Sequence, residues 1–540
     1  MSGQATTSHD VLFKASFSSA SALMALQLFS RIFTFILNQA LFRMASPKAY
    51  GTAAIQFELM LSTILFLSRE GVRNALLRVK KPGIATKNLS ILPFLLGLPL
   101  ALTTSYFYAR FAGKEVRDQE YFNLSIGIYA LAALIELMSE PMHNLAMAEL
   151  RTGVRVRAEG LGITAKTLAT FSVLLYDTRS MADGRLALLA FAGGQLVYGV
   201  FVLGTYIAYY GTQNMWPVQP PPTNNTPQRL VDPSILRLSL TMTSQSFLKH
   251  LLTEGDKFLL SWFSPLQDQG GYAIAVNYGS LVARIVFQPI EETLRVFFSK
   301  SLDNSSTHMD TNENLHQAAN ALVSLLSVQA VFSIVLLVFG TAYIPILVHV
   351  LLPYQYLSTS APDVLSAWIW YIPVLAFNGG LEAFVSSAAT PRDLNKQSRW
   401  MAGFSVTYIL AAIVLYRMQL GDASLVYANI INLSVRIIYS AHFVSSFFTG
   451  RGARPALHWR SVMPGWPIWL ICGVSSVLIR TVGRRLDVLT VVLNGGRGAM
   501  ITTPVLTYVG LGGFLALTCL GTWWMTSGRY LNTPRRLKSE

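Results

Sequence analysis

The side chains that could do chemistry in this chain are charged and amide groups embedded in apolar runs. In the first run Arg31, Thr34 and Asn38 recur at i, i+3 and i+7, one face of a helix. The second run ends on Arg69, Glu70 and Arg73. In the fourth, Glu136 and Glu140 lie one turn apart, followed by Pro141, which must loosen the helix there. Two carboxylates on one face at membrane depth need a cationic partner, or one must take up a proton. The fifth run places Glu159 seven residues before Lys166. The seventh places Lys249 on one face with Asp256, beside Glu254 and Lys257. A structural ion pair and a functional group are both open readings for these two couples. In the eighth run Asn277, Arg284, Gln288, Glu291 and Arg295 follow at spacings of 7, 4, 3 and 4, a polar stripe interrupted by Pro289 and flanked by Glu292. Asn378 and Glu382 form a one-turn pair in the tenth. Ionisable groups inside spans cost several kcal/mol on insertion scales and normally face a bundle interior or a wet cavity. The eighth-run stripe therefore predicts a cavity or another polar helix beside it. Arg43, Arg69, Arg73 and Arg295 equally suit end residues that snorkel to the interface.

Several chemistries are excluded. There is no G-x-x-x-x-G-K-[ST] loop, no H-E-x-x-H, no C-x-x-C and no EF-hand pattern. The glycine-rich stretch 495–498 reads as a turn. His143, His250 and His349 are isolated and read as core histidines. Cys472 and Cys519 sit in apolar runs and read as small packing residues, without a disulfide framework or metal motif. No cofactor, metal or nucleotide is expected, and no enzymatic activity.

Positioning these groups requires helices that cross a bilayer. The chain has 540 residues, 52% hydrophobic and only 13% charged, where a soluble chain carries about 25% charged. The net charge of +15 would suggest nucleic acid in a soluble protein. Here the basic residues lie in short loops, as topology determinants and contacts to anionic lipid headgroups, so no nucleic-acid partner is expected. Reading for runs of roughly 20 apolar residues gives about fourteen spans. They lie near 15–42, 50–68, 89–109, 121–147, 158–177, 185–209, 238–262, 270–298, 318–340, 362–388, 398–416, 423–447, 463–482 and 499–525. The stretch 343–352 reads as an interfacial extension. The polar N-terminus leads into a full span that should act as an uncleaved insertion signal. The expected class is an all-α polytopic membrane protein of two six-helix lobes and a C-terminal helix pair. The lobes are 1–210 and 238–448, joined by a Pro-rich interval at 211–237 and followed by spans 13 and 14 with a basic tail at 449–540. Lys and Arg collect in alternate loops at 69–87, 151–157, 392–399 and 451–460 and in the tail, which places both termini in the cytoplasm.

A faint repeat supports the two lobes. Residues 70–76 read EGVRNAL and residues 292–298 read ETLRVFF, each after a glycine-containing span start at Gly51 and at Gly270-Gly271. Together these features describe a cavity between two helical halves, with both charge signs near its cytoplasmic mouth. Such a cavity suits an amphipathic anion whose polar head crosses while its tail stays in lipid.

Two segments carry a family resemblance. TSQSFLKHLLTEGDK at 243–257 and NYGSLVARIVFQPIEE at 277–292 resemble signatures of the Rft-type oligosaccharide translocation proteins of the eukaryotic endoplasmic reticulum. These form a branch of the multidrug/oligosaccharidyl-lipid/polysaccharide (MATE-like) exporter superfamily. Supporting matches are RIFTFILN at 31–38, FLSRE at 66–70 and ELMSEP at 136–141. The resemblance covers nearly the whole chain and weakens beyond Arg451. It implies two lobes opening alternately to the two sides of the endoplasmic-reticulum membrane. It also implies movement of dolichyl-diphosphate heptasaccharide, five mannoses on two N-acetylglucosamines, to the lumenal leaflet for N-glycosylation. On that reading Arg31, Arg69, Arg73 and Arg284 contact the diphosphate, because a guanidinium fork matches phosphate oxygens. Lys249, Asn277 and Gln288 are further substrate contacts. Glu70, Glu254, Asp256, Lys257, Glu291, Glu292 and Arg295 orient the basic groups and gate by exchanging ion pairs, and Glu136 and Glu140 are candidates for proton coupling. The remaining alternatives are a cation-coupled small-molecule exporter of the same superfamily and a non-transporting organiser of the glycosylation machinery. A monomer is expected.

Overall fold

A computed structural model describes residues 35–76, 84–149, 151–180, 184–217, 232–302, 311–452 and 459–528, which are helical with short connections and contain no strand. Eleven described helices are long and apolar enough to cross a membrane. The helix Thr152–Arg179 and the pair Pro233–Thr253 and Gly255–Phe263 occupy two further expected segments but are more polar. The segment near 15–42, with Arg31, lies for the most part outside the described residues, as does most of the Pro-rich interval.

The described residues fall into two units divided after Ala273. The first contains α1 (Pro47–Leu76), α2 (Lys87–Phe111), α3 (Phe122–Ala148), α4 (Thr152–Arg179), α5 (Ala187–Tyr210), α6 (Pro233–Thr253) and α7 (Gly255–Phe263). Its core is built on Phe57, Ile64, Tyr129 and Leu137, with Phe57 stacked on Phe122 and tilted against Tyr129. Helix α3 is interrupted at Ser139. Pro141 cannot donate an amide, and the Ser139 hydroxyl donates back to the Glu136 carbonyl at 2.7 Å. Glu136 and Glu140 therefore flank a break in their helix. The chain is again interrupted at Glu254, so Lys249 and Asp256 sit on two successive helices rather than on one continuous face.

Helix α8 (Leu266–Ser299) begins in the first unit, where its start meets α1. A Cβ on Gly270 would lie 2.0 Å from the Pro47 carbonyl oxygen, and one on Gly51 would lie 2.8 Å from the Gly270 nitrogen. The two glycines that marked the sequence repeat are thus a backbone-to-backbone contact that admits no side chain. Beside it the Gln56 amide donates to Gln269 at 2.9 Å.

The second unit contains the rest of α8, α9 (Thr311–Leu351), α10 (Ala361–Ala388), α11 (Pro391–Leu415), α12 (Ala423–Gly450), α13 (Trp466–Arg485) and α14 (Thr503–Trp523). Phe298, Phe384 and Phe448 centre its core. The stretch 343–352 continues, through Leu351, the 41-residue helix α9 and is not a separate element. It packs on α13 and α14: Ile346 shares a buried cluster with Ile479 and Val505, and the Tyr343 hydroxyl donates to the Tyr508 carbonyl at 2.7 Å with the two rings 4.5 Å apart. Cys472 and Cys519 are free and buried, their sulfurs 3.8 Å apart.

Candidate functional site

Arg69 and Arg73 lie one turn apart on α1, and Glu136 and Glu140 lie one turn apart on the facing α3. Arg69 Nη1 is 2.5 Å from Glu136 Oε1 and 3.7 Å from Glu140 Oε1. Arg73 grips Glu140 with two bonds, Nε to Oε2 at 2.8 Å and Nη2 to Oε1 at 2.5 Å. Both carboxylates are buried and both guanidinia are about a quarter exposed. Two positive and two negative charges cancel, which is what makes the group tolerable at this depth. Glu70 turns aside and accepts from the Asn74 amide at 3.1 Å. His143, just beyond the break, meets the Tyr206 hydroxyl at 3.0 Å.

The other couples do not form as the spacing predicts. Glu159 takes its bond from Arg155, one turn away at 2.8 Å, because i, i+4 is closer than i, i+7 on a helix. Lys166 instead donates to Gln195 on α5 at 2.6 Å. Lys257 pairs with Glu254 at 2.8 Å across the interruption, and Asp256, between them in the sequence, feels the charge of both. The Lys249 side chain lies outside what the structure describes. His250, adjacent to it, stacks on Phe66 at 4.7 Å and meets the Thr63 hydroxyl at 3.0 Å, joining α6 to α1.

The polar stripe of α8 is not a straight line. Ala283–Phe287 forms a π-turn ahead of Pro289, where the missing proline amide leaves a carbonyl without its usual donor. The extra residue rotates everything downstream by about 100°. Asn277 and Arg284 stay together, with Arg284 Nη2 donating to the Asn277 carbonyl at 2.9 Å. Glu291 is turned onto α10, where its Oε1 fills the space a Cβ on Gly379 would take. Gln288, Glu292 and Arg295 are exposed.

Glu382 has a partner that the one-turn reading with Asn378 did not anticipate. Arg436 on α12 donates to its carboxylate, while Asn378 is buried with its Oδ1 unpartnered among the described residues. Arg436 is a basic residue inside an otherwise apolar span, and that property alone was a signal for it.

The sequence model of the Rft-1 family, described as Rft protein, matches residues 15–531. This chain belongs to the Rft family. Among the relatives, one from Yarrowia lipolytica is 33% identical over 88% of this chain and 76% of its own length. One from Saccharomyces cerevisiae is 29% identical over 82% and 84%, and one from Xenopus tropicalis is 28% identical over 85% and 87%. Each is named a Man(5)GlcNAc(2)-PP-dolichol translocation protein. The fold is similar to that of the lipid II flippase MurJ in an inward closed conformation. The TM-score is 0.59 at 13% identity, covering 93% of this chain and 99% of that one. An inward-facing MATE-family transporter aligns at 0.52 and 12% identity, over 78% and 99%. The Rft chain is therefore a multi-pass membrane protein with a flippase-like helical fold.

Proposed function

We propose that this Rft-family chain moves dolichyl-diphosphate-linked heptasaccharide, Man(5)GlcNAc(2), from the cytosolic to the lumenal leaflet of the endoplasmic-reticulum membrane. It does so by alternating access and without bond chemistry. The observation that carries this reading is the likeness along most of the chain to relatives named for that translocation. The paired arginines of α1 add a physical route. A guanidinium that already holds a carboxylate in a fork can exchange it for a phosphate oxygen of similar geometry. Glu136 or Glu140, released from its arginine, would then be left buried without a partner and take up a proton. Arg69, Arg73 and Arg284 are the proposed diphosphate contacts, with Arg31 and Lys249 beside them in the sequence signature. Asn277 and Gln288 contribute further polar contacts. Glu70, Glu254, Asp256, Lys257, Glu291, Glu292 and Arg295 are the proposed gating residues, among which Glu254 and Lys257 are paired in this state, and both termini are cytoplasmic.

The test is purified protein in liposomes holding radiolabelled dolichyl-diphosphate heptasaccharide, scored for access to a lectin or glycosidase on the opposite side. Protein-dependent transfer of the labelled lipid is expected. Transfer no faster than in empty liposomes, with protein shown to be folded, would move the reading to an organiser of the glycosylation machinery.

A further inference from the structure

The second unit carries a cavity that the translocation reading does not use. It has a volume of about 300 Å³ and lies where the start of α11 meets the end of α12. Lys396, His442 and Arg451 line it, together with Tyr439, Ser446 and Phe447. Arg451 lies 3.7 Å over the Phe447 ring, which holds the guanidinium at the rim. Neither Lys396 nor Arg451 forms an ion pair within 4.0 Å among the described residues. The lining acid, Asp393, accepts from the Thr390 amide at 3.1 Å and hydroxyl at 2.7 Å in a capping box and keeps its charge, which acts on Lys396 one turn on and leaves Arg451 as the cation it does not offset.

The depth of the cavity is set by its neighbours. Trp400 and Phe404 stack one turn further along α11, with Tyr439 6.4 Å from each. Beyond them α11 is apolar, with Val406, Leu410 and Val414 exposed. Aromatic rings at this level, cations above and aliphatic side chains below are the profile of a membrane interface.

We propose that this cavity binds the phosphodiester headgroup of an anionic glycerophospholipid. Lys396 and Arg451 hold the phosphate, the His442, Tyr439 and Ser446 side chains complete its hydrogen bonds, and the acyl chains run down the outer face of α11. A soluble anion would gain nothing from the aromatic and aliphatic surface below the cations, which favours a lipid as occupant. The site shares no residue with the arginine–glutamate group of α1 and α3, and the inference does not rest on the translocation reading.

The experiment titrates full-length protein in neutral detergent with dioctanoyl phosphatidylserine and reads bound lipid by native mass spectrometry. The Lys396→Gln/Arg451→Gln variant should bind about tenfold more weakly, and Ser446→Phe, which fills the cavity while keeping both cations, should do the same. Lys396→Arg/Arg451→Lys should retain binding. Equal affinity in wild type and the two disabled variants overturns the site. Dioctanoylglycerol binding as well as the phospholipid would mean that the groove reads chains and no headgroup. Inorganic phosphate displacing the lipid at equal concentration would mean a free-anion site; both results reject the proposal.

Discussion

Arg73 holds Glu140 in a two-bond fork, Nε to Oε2 at 2.8 Å and Nη2 to Oε1 at 2.5 Å, with the carboxylate 1% exposed. Removing the arginine leaves a buried charge, a loss of about 3–5 kcal/mol. Arg73→Gln should therefore reduce protein abundance in the membrane and the melting temperature in detergent. Arg73→Gln/Glu140→Gln should recover part of that loss, because no unpaired charge remains. Additive losses in the double variant would show that the two side chains are energetically independent.

Glu136 gives the pH test. If substrate phosphate displaces it from Arg69, protonation of the carboxyl accompanies the transport step, and transport rises as pH falls. Gln mimics the protonated form, so Glu136→Gln should flatten that pH dependence in the liposome assay. A profile unchanged in Glu136→Gln, Glu140→Gln and the double variant would reduce both carboxylates to scaffold.

Arg284 donates to the Asn277 carbonyl beside the π-turn. Lys offers a point charge without the fork. Arg284→Lys should leave abundance near normal but produce underglycosylated secreted reporters, and Arg284→Gln should be worse. Full glycosylation with Lys, or loss of both variants from the membrane, would make Arg284 a brace of the π-turn alone.

The Gly51–Gly270 contact predicts a steric effect. Gly270→Ala places a Cβ against the Pro47 carbonyl and should destabilise by about 1–3 kcal/mol. Gly204→Ala in α5, which meets open space, should be neutral or slightly stabilising by comparison. Thermal unfolding of the two variants in one detergent makes the comparison.

Topology is tested by labelling. A cysteine at Thr86, with Cys472 and Cys519 replaced by Ala, should react with an impermeant reagent from the cytosolic side only. Asn88-Leu-Ser90 should stay unglycosylated for the same reason. Labelling from the lumen would invert the orientation.

The sequence by itself determined the class of molecule. Apolar runs of spanning length leave a membrane helix as the low-energy state of the backbone, since every amide must be satisfied within its own segment. The intramembrane charges were legible for the same reason, each being too costly to sit there without a role. The repeat that pointed to Gly51 and Gly270 was legible as two similar segments, but their direct contact was not.

Partners were decided only in three dimensions. A seven-residue spacing proposes that Glu159 meets Lys166, yet Arg155 is closer along the same helix and Gln195 closer across to the next. The π-turn before Pro289 rotates Glu291 away from Asn277, and no periodicity count contains that extra residue. Glu136 and Glu140 find Arg69 and Arg73 across 67 residues of chain, and Glu382 finds Arg436 across 54. An ion pair stabilises through distance and desolvation, both properties of how helices pack against one another. Spacing along one helix places a charge on a face, and the neighbouring helix decides what it meets.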